Sequence, residues 1–214
     1  MIRTLFAAVL LATVPPALVA APAMARPAQA AALSPSDKAL IAEAARYMQG
    51  LKSAQAHFSQ TDPHGAVTTG VFSLHRPGKA RFAYDPPAGM TVVADGVNVD
   101  VYDAKLKSFD AYPLKQTPLA MLLADDVKFD SAVTIVGVDH DAKGFTINLR
   151  DAKHQSGGRL GLSFTTGPMA LAGWTVIDTQ GLKTTVRLSG LKSGVALASD
   201  MFVLNDPRPH TFKP

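Results

Sequence analysis

The chain has 214 residues, 47% of them hydrophobic, and 21 lysines and arginines against 17 aspartates and glutamates give a formal charge of +4. The basic residues are scattered rather than clustered, which argues against a nucleic-acid partner; a mild positive charge suits anionic membranes, acidic partners or plain solubility. With no cysteine, the chain has no disulfide, no thiol nucleophile and no cysteine to carry a lipid anchor, so its stability must come from its core.

The amino terminus reads Met-Ile-Arg3, then an apolar run from Leu5 to Val14, then small residues and prolines. This is the pattern of a secretory signal peptide over residues 1–25, with small-x-small cleavage sites at Ala23-Met-Ala25 or Ala28-Gln-Ala30. The run falls short of the ~20 apolar residues of a membrane-spanning helix. Loss of residues 1–25 removes only Arg3 from the charge count and lowers it from +4 to +3. Residues 26–33 are rich in alanine and proline and read as a flexible leader, and 34–214 as a single domain with no internal repeat.

Ser34-Pro35 predicts a helix start, with serine as cap and proline at the first helical position. Leu40, Ile41, Ala44, Tyr47, Met48 and Leu51 follow at helical spacing, and Gly50 is a stop. The period then switches to two. Ala54, Ala56 and Phe58 alternate with polar residues, as do Val97, Val99 and Val101. Phe145-Thr-Ile-Asn-Leu-Arg150 is the cleanest alternation. Leu160, Leu162 and Phe164 form another apolar row, Trp174-Thr-Val176 leads to a Gln180-Gly181 turn, and Val186 and Leu188 continue the pattern. Met201 to Leu204 reads as a last short strand. About eleven strands are predicted, at the roughly 8–12-residue spacing of an antiparallel sheet or barrel.

Gly70 to Gly96 is the most informative stretch. In a strand, Phe72, Leu74 and Arg76 share one face, so if the first two look into a core the arginine does as well. A guanidinium near an apolar interior must find acceptors; the alternative is that Arg76 snorkels to solvent beside Pro77. Pro77 ends the strand, Ala80, Phe82 and Tyr84 share a face of the next, and Asp95-Gly96 is a hairpin turn. Later, Pro113 to Asp126 interrupts the strands with helix signals. Thr117 is placed to cap, Pro118 to start, and Leu119, Leu122 and Leu123 form one stripe. A helix this short holds only by laying that stripe on something apolar.

Candidate chemistry is sparse. The histidines at 57, 64, 75, 140, 154 and 210 show no metal-ligand spacing, and neither a nucleophile elbow nor a phosphate-cradling glycine pattern is present. Asp139-His140-Asp141 is the one cluster suited to acid/base work, as in a secreted hydrolase, but its place in a turn running to Gly144 favours a structural role. Asp125-Asp126 lies at the end of the short helix, where carboxylates oppose the helix dipole or sit in a solvated loop.

The Phe58-Ser-Gln60 strand, Gly70 to Leu74, Arg76-Pro77, Arg81-Phe-Ala-Tyr84, the Val93-Ala-Asp-Gly96 hairpin and Thr117-Pro118 before an apolar helix succeed one another over about residues 34 to 206. In that order and spacing the chain resembles the LolA family, periplasmic carriers that ferry lipoproteins to the outer membrane of Gram-negative bacteria. The resemblance implies a mainly β fold with short helices, an incomplete antiparallel barrel closed by a helical lid over a hydrophobic cavity. It implies no catalysis and no cofactor. The apolar inner face, which by itself suits a packed core as well, becomes on this resemblance an acyl-chain cavity. Its predicted lining is Phe58, Phe72, Leu74, Ala80, Phe82, Tyr84, Met90, Val92, Leu119, Leu122, Phe145, Ile147, Leu162 and Phe164.

Arg76 matches the family arginine whose hydrogen bonds hold the lid shut, and here the lid is Thr117 to Ala124, with Thr117, Pro118, Met121, Leu123 and Ala124 as its gating residues. Implied partners are acylated lipoproteins, an inner-membrane ATP-binding-cassette release complex, and an outer-membrane lipoprotein receptor or the outer membrane itself, met by a monomer. A lipid or lipoprotein sensor of the same fold is the alternative. Ala80 stands where the family places a bulkier rim residue, which implies a wider mouth. The carboxyl end, Asp206 to Pro214, follows soon after the last predicted strand, and a tail this short implies less strictly one-way carriage.

Overall fold

A computed structural model describes residues 33–125, 133–151 and 158–207. The predicted signal peptide, most of the leader, Asp126, His154 and His210 lie outside these residues. The first helix, α1 (Pro35–Gly50), starts as expected: the Ser34 hydroxyl accepts from the Asp37 amide at 3.1 Å and the Asp37 carboxylate accepts from the Ser34 amide at 3.1 Å. This reciprocal box satisfies two of the amide groups a helix start leaves without partners. Ile41, Ala44 and Met48 recur at helical spacing and are buried in the common core. The Leu51 amide closes the helix on the Tyr47 and Met48 carbonyls.

The strands are β1 (Ser53–Thr61), β2 (Val67–His75), β3 (Lys79–Tyr84), β4 (Met90–Asp95), β5 (Asn98–Asp103), β6 (Ser108–Pro113), β7 (Val133–His140), β8 (Gly144–Asp151), β9 (Arg159–Thr166), β10 (Met169–Ile177) and β11 (Lys183–Ser193). They form one antiparallel sheet in the order β6-β5-β4-β3-β2-β1-β11-β10-β9-β8-β7. Two meanders are thus joined where β11 pairs with β1, and β6 and β7 are left as the two edges. The sheet is the expected incomplete barrel. Inward rows run in register across it: Phe72, Phe82, Val92 and Val101 in one half, and Ile147, Leu162, Trp174 and Val186 in the other.

Curvature is visible in one contact. Trp174 on β10 and Phe82 on β3 lie four strand steps apart, which is roughly 19 Å in a flat sheet. Their ring centroids are 5.9 Å apart, and Trp174 also meets Phe72 at 5.2 Å. Bulges at Gln55/His57, Ile135/Gly137 and Leu171/Gly173 supply extra twist.

Gly70 lets the near half close. It stands opposite both Phe58 and Tyr84, whose rings meet edge to face at 5.0 Å. A Cβ at residue 70 would lie 2.1 Å from the Ala83 carbonyl oxygen and 2.7 Å from the Phe58 ring.

Two expectations are corrected. Val97 is not in the row with Val99: the Asp95 carboxylate accepts from the amides of both Val97 and Asn98, so the turn includes Val97 and leaves it 72% exposed. Met201 to Leu204 is not a strand. A 3-10 turn, Ser199–Phe202, stands there instead. The turn lies against β3 and β4, both already paired on both sides, so a strand has no free edge to join at that place. Phe202 instead buries on the outer face, stacked on His75, while Arg81 donates to the Met201 carbonyl at 3.0 Å.

Gly70→Ala is expected to lower the urea midpoint by the equivalent of about 1–3 kcal/mol, the usual range for overpacking. A midpoint equal to that of the unaltered protein would show that the Phe58–Tyr84 contact does not depend on the missing side chain.

Candidate functional site

The chain crosses from edge strand β6 to edge strand β7 through a 3-10 turn (Leu114–Gln116) and the five-residue helix α2 (Leu119–Leu123). The predicted lid is shorter than expected. Thr117 does not cap it: its hydroxyl donates to the Leu114 carbonyl at 2.8 Å, and Pro118 takes the cap position with no side-chain bond. The hydroxyl is captured by the preceding turn, the usual competition between local turns and helix caps. Met121, Leu122 and Leu123 are buried against the core.

A helix of five residues has scarcely an internal hydrogen bond, and its last carbonyls need a donor from elsewhere. The turn between β2 and β3 provides it. Arg76 is 3% exposed. Its Nε donates to the Ala124 carbonyl at 3.0 Å, one terminal nitrogen donates to Ala124 and, at 3.3 Å, to Asp125, and the other donates to the Met48 carbonyl near the end of α1. The Arg76 amide donates to Lys52 and the Gly78 amide donates to Leu123 at 2.8 Å. One guanidinium therefore faces the C-terminal ends of two helices, where positive charge is favoured. Gly78 has φ +77 and a Cβ there would lie 2.8 Å from the Gly96 Cα, so two glycines let the β2–β3 turn sit against the β4–β5 turn. The nearby Lys52–Asp125 pair, 3.6 Å apart with both side chains exposed, adds little.

Beside the lid lies a cavity of about 270 Å³. Phe82, Tyr84 and Val92 form one wall, Trp174, Val176, Thr184 and Val186 another, and Gln60, Thr117, Pro118 and Leu119 complete it. Tyr84 donates to the Gln60 side-chain oxygen at 2.8 Å, and burial pushes the Tyr84 phenol up to about 12. Of the residues predicted to line an acyl cavity, Phe82, Tyr84, Val92 and Leu119 line this one. Phe58, Phe72, Leu74, Ala80, Leu122, Phe145, Ile147, Leu162 and Phe164 lie in the packed interior, and Met90 is half-buried at the start of β4. Ala80 is fully buried opposite Leu74 and Ala94, not at a rim. Sequence reasoning did not name Gln60, Trp174, Val176, Thr184 and Val186 as site residues; the alternation of β10 and β11 carried the signal for all but Gln60.

The acid/base candidates do not converge. His140 Nε2 lies 2.8 Å from the Asp37 carboxylate, Asp139 accepts from Asn148 at 2.7 Å, and Asp141 accepts from the Lys143 and Gly144 amides. The Ser34 hydrogen bond, then His140, holds the Asp37 carboxyl below its ordinary range. The three side chains brace a helix start, a strand pair and a turn. Among the described residues, no three histidine, cysteine, aspartate or glutamate side chains are grouped to hold a metal ion.

Arg76→Lys keeps the charge but loses the fork. Since hydrogen bonds to a charged donor contribute about 1.5–3 kcal/mol, hydrogen exchange at the Gly78, Ala120 and Met121 amides is expected to speed up about 10- to 100-fold. Unchanged protection there would mean that the lid is held by its apolar side chains alone.

A family model described as "Outer membrane lipoprotein carrier protein LolA" matches residues 49–205. Among curated relatives, an outer-membrane lipoprotein carrier protein of Pseudomonas fluorescens is 30% identical over 185 residues, covering 78% of this chain and 85% of the relative. One of Methylococcus capsulatus is 29% identical over 170 residues, covering 75% and 81%. Among solved structures, a LolA superfamily protein of Nitrosomonas europaea superposes with a TM-score of 0.46 at 12% identity, covering 78% of this chain and 97% of that one. With an eleven-stranded open sheet, a helical lid and a family match over most of its length, the chain belongs to the LolA family.

Proposed function

We propose that this protein is a periplasmic chaperone that takes the acyl chains of lipoproteins released from the inner membrane into its cavity and carries them to an acceptor at the outer membrane. The observation that carries the reading is the Arg76 clasp on a lid over an apolar cavity. The names of the relatives, each an outer-membrane lipoprotein carrier protein, agree with it. The signal-like amino terminus supports a site of work outside the cytoplasm, and no helix among the described residues is long and apolar enough to cross a membrane.

Carriage requires binding that is strong and still reversible. Burying acyl chain gains ~0.8 kcal/mol per methylene, so a permanently open pocket holds long chains too tightly to release them. At about 270 Å³ the cavity beside the lid lies just under the usual ~300–1,000 Å³ of small-ligand pockets, and long acyl chains need the lid to move to make room. A shut state that competes with cargo lowers the apparent affinity. Arg76 sets that competition, as the donor to the lid's last carbonyls. Release would come from an inner-membrane ATP-driven complex and delivery would be to an outer-membrane receptor or to the membrane itself.

Incubating the protein with spheroplasts that hold lipoprotein in their inner membrane tests this. A soluble one-to-one complex with acylated protein is expected, and Arg76→Leu is expected to keep the cargo and pass it on poorly. Lipoprotein that stays with the spheroplasts would refute the reading.

A further inference from the structure

The cavity wall is apolar except for a few hydrogen-bond donors, and not all of those have a partner among the described residues. Tyr84, protonated through the neutral range, gives its proton to the Gln60 oxygen. That fixes the orientation of the amide and leaves both Gln60 N–H donors without a partner among the described residues. The Thr184 hydroxyl lines the same cavity and has no partner there either. Neither does the indole N–H of Trp174, although that side chain is only 3% exposed and buried indoles ordinarily find an acceptor. The remaining hydroxyl, that of Thr117, is already spent on Leu114.

These three donors are neighbours in the sheet. Val186 pairs with Gln60 on one side and Trp174 on the other, and Thr184, two residues along β11, shares the face of Val186, so it lies diagonally from Gln60 at roughly 7–8 Å. A hydrocarbon chain satisfies none of them. Gln60 and Thr184 are half-buried, whereas Trp174 is buried, and a buried donor left unmade costs about 1–3 kcal/mol, so an occupant bringing acceptors and no donors is favoured over one bringing neither.

We infer that Gln60, Thr184 and Trp174 form a carbonyl-recognition step in the cavity wall, which selects chains joined through acyl ester or amide groups over alkyl chains of equal length. The inference rests on the carrier reading and deepens it: the wall responds to the carbonyl that joins a chain to its anchor as well as to the length of the chain. Gly70 contributes by absence. Its missing side chain lets Tyr84 lean over β2 onto Phe58, within reach of Gln60 two strands away.

Trp174 is the sole tryptophan, so its fluorescence reports on the cavity directly. Two titrations are compared: a diacylglycerol, and the dialkyl ether glycerol with the same chain lengths, which lacks the carbonyl oxygens. The ester is expected to bind about 10-fold more tightly and to shift the Trp174 emission to longer wavelength, while the ether leaves its position unchanged. Gln60→Met is expected to bring the ester-to-ether ratio towards one, and Thr184→Val, a milder change at a half-buried position, to lower it by a smaller factor. Equal affinity for ester and ether in the unaltered protein overturns the inference and leaves the carrier reading standing. Failure to bind either lipid overturns both together. A ratio that survives both substitutions assigns the selectivity elsewhere and overturns it as well.

Discussion

Arg76 is a charge met by main-chain oxygens from two helix ends: Ala124 and Asp125 at the end of the lid, Met48 at the end of α1. A guanidinium cannot be neutralised and cannot be left bare in an interior. The helix ends, in turn, cannot leave carbonyls bare. Each side of the contact solves the other's problem, and α1, the β2–β3 turn and the lid are held in one arrangement as a result. Because the lid has five residues and almost no internal hydrogen bonding, its position depends on this contact and on the buried faces of Met121, Leu122 and Leu123.

The rest of the molecule makes that contact possible. The sheet leaves β6 and β7 as its two edges, and the lid sits on the connection that follows β6. The β1–β11 pairing and the bulges curve the sheet until Trp174 touches Phe82. Most of the enclosed apolar surface is ordinary core: Phe145 stacks on Phe164 at 5.5 Å, and Tyr47 of α1 meets Phe164 edge-on at 6.2 Å. The cavity is what remains at the lid's end of that core, where the wall turns partly polar. Core and cavity are therefore two parts of one apolar interior.

Local signals were the most legible in the sequence. The Ser34 cap, the Phe145 to Arg150 alternation and the Asp95-Gly96 turn depend on neighbours within a few residues, and they read correctly. Period two put Arg76 on the inward face but left snorkelling to solvent open, and burial to 3% exposure decides it. What alternation cannot give is the partner strand. Gln60 is in a quoted motif, yet its place across from Val186 and beneath Tyr84 appears only once β1 is paired with β11 and β2 with β3. Thr117 failed as a cap because two local acceptor schemes competed and the earlier turn won. Val97 and the Met201 to Leu204 run were apolar enough for strands, but a carboxylate turn and the lack of a free edge decided otherwise.

The central claim is that the lid is shut in the empty protein and moves to admit acyl chains. The cysteine-free chain allows one pair of introduced cysteines to be spin-labelled cleanly, at the exposed positions Gln116, just before the lid, and Glu43 on α1. The distance distribution between them, measured by pulsed electron paramagnetic resonance with and without a diacylated lipopeptide, tests the claim most directly. The account predicts a single narrow distance in the empty protein and a second, longer one on loading. The same distribution in both samples would contradict it.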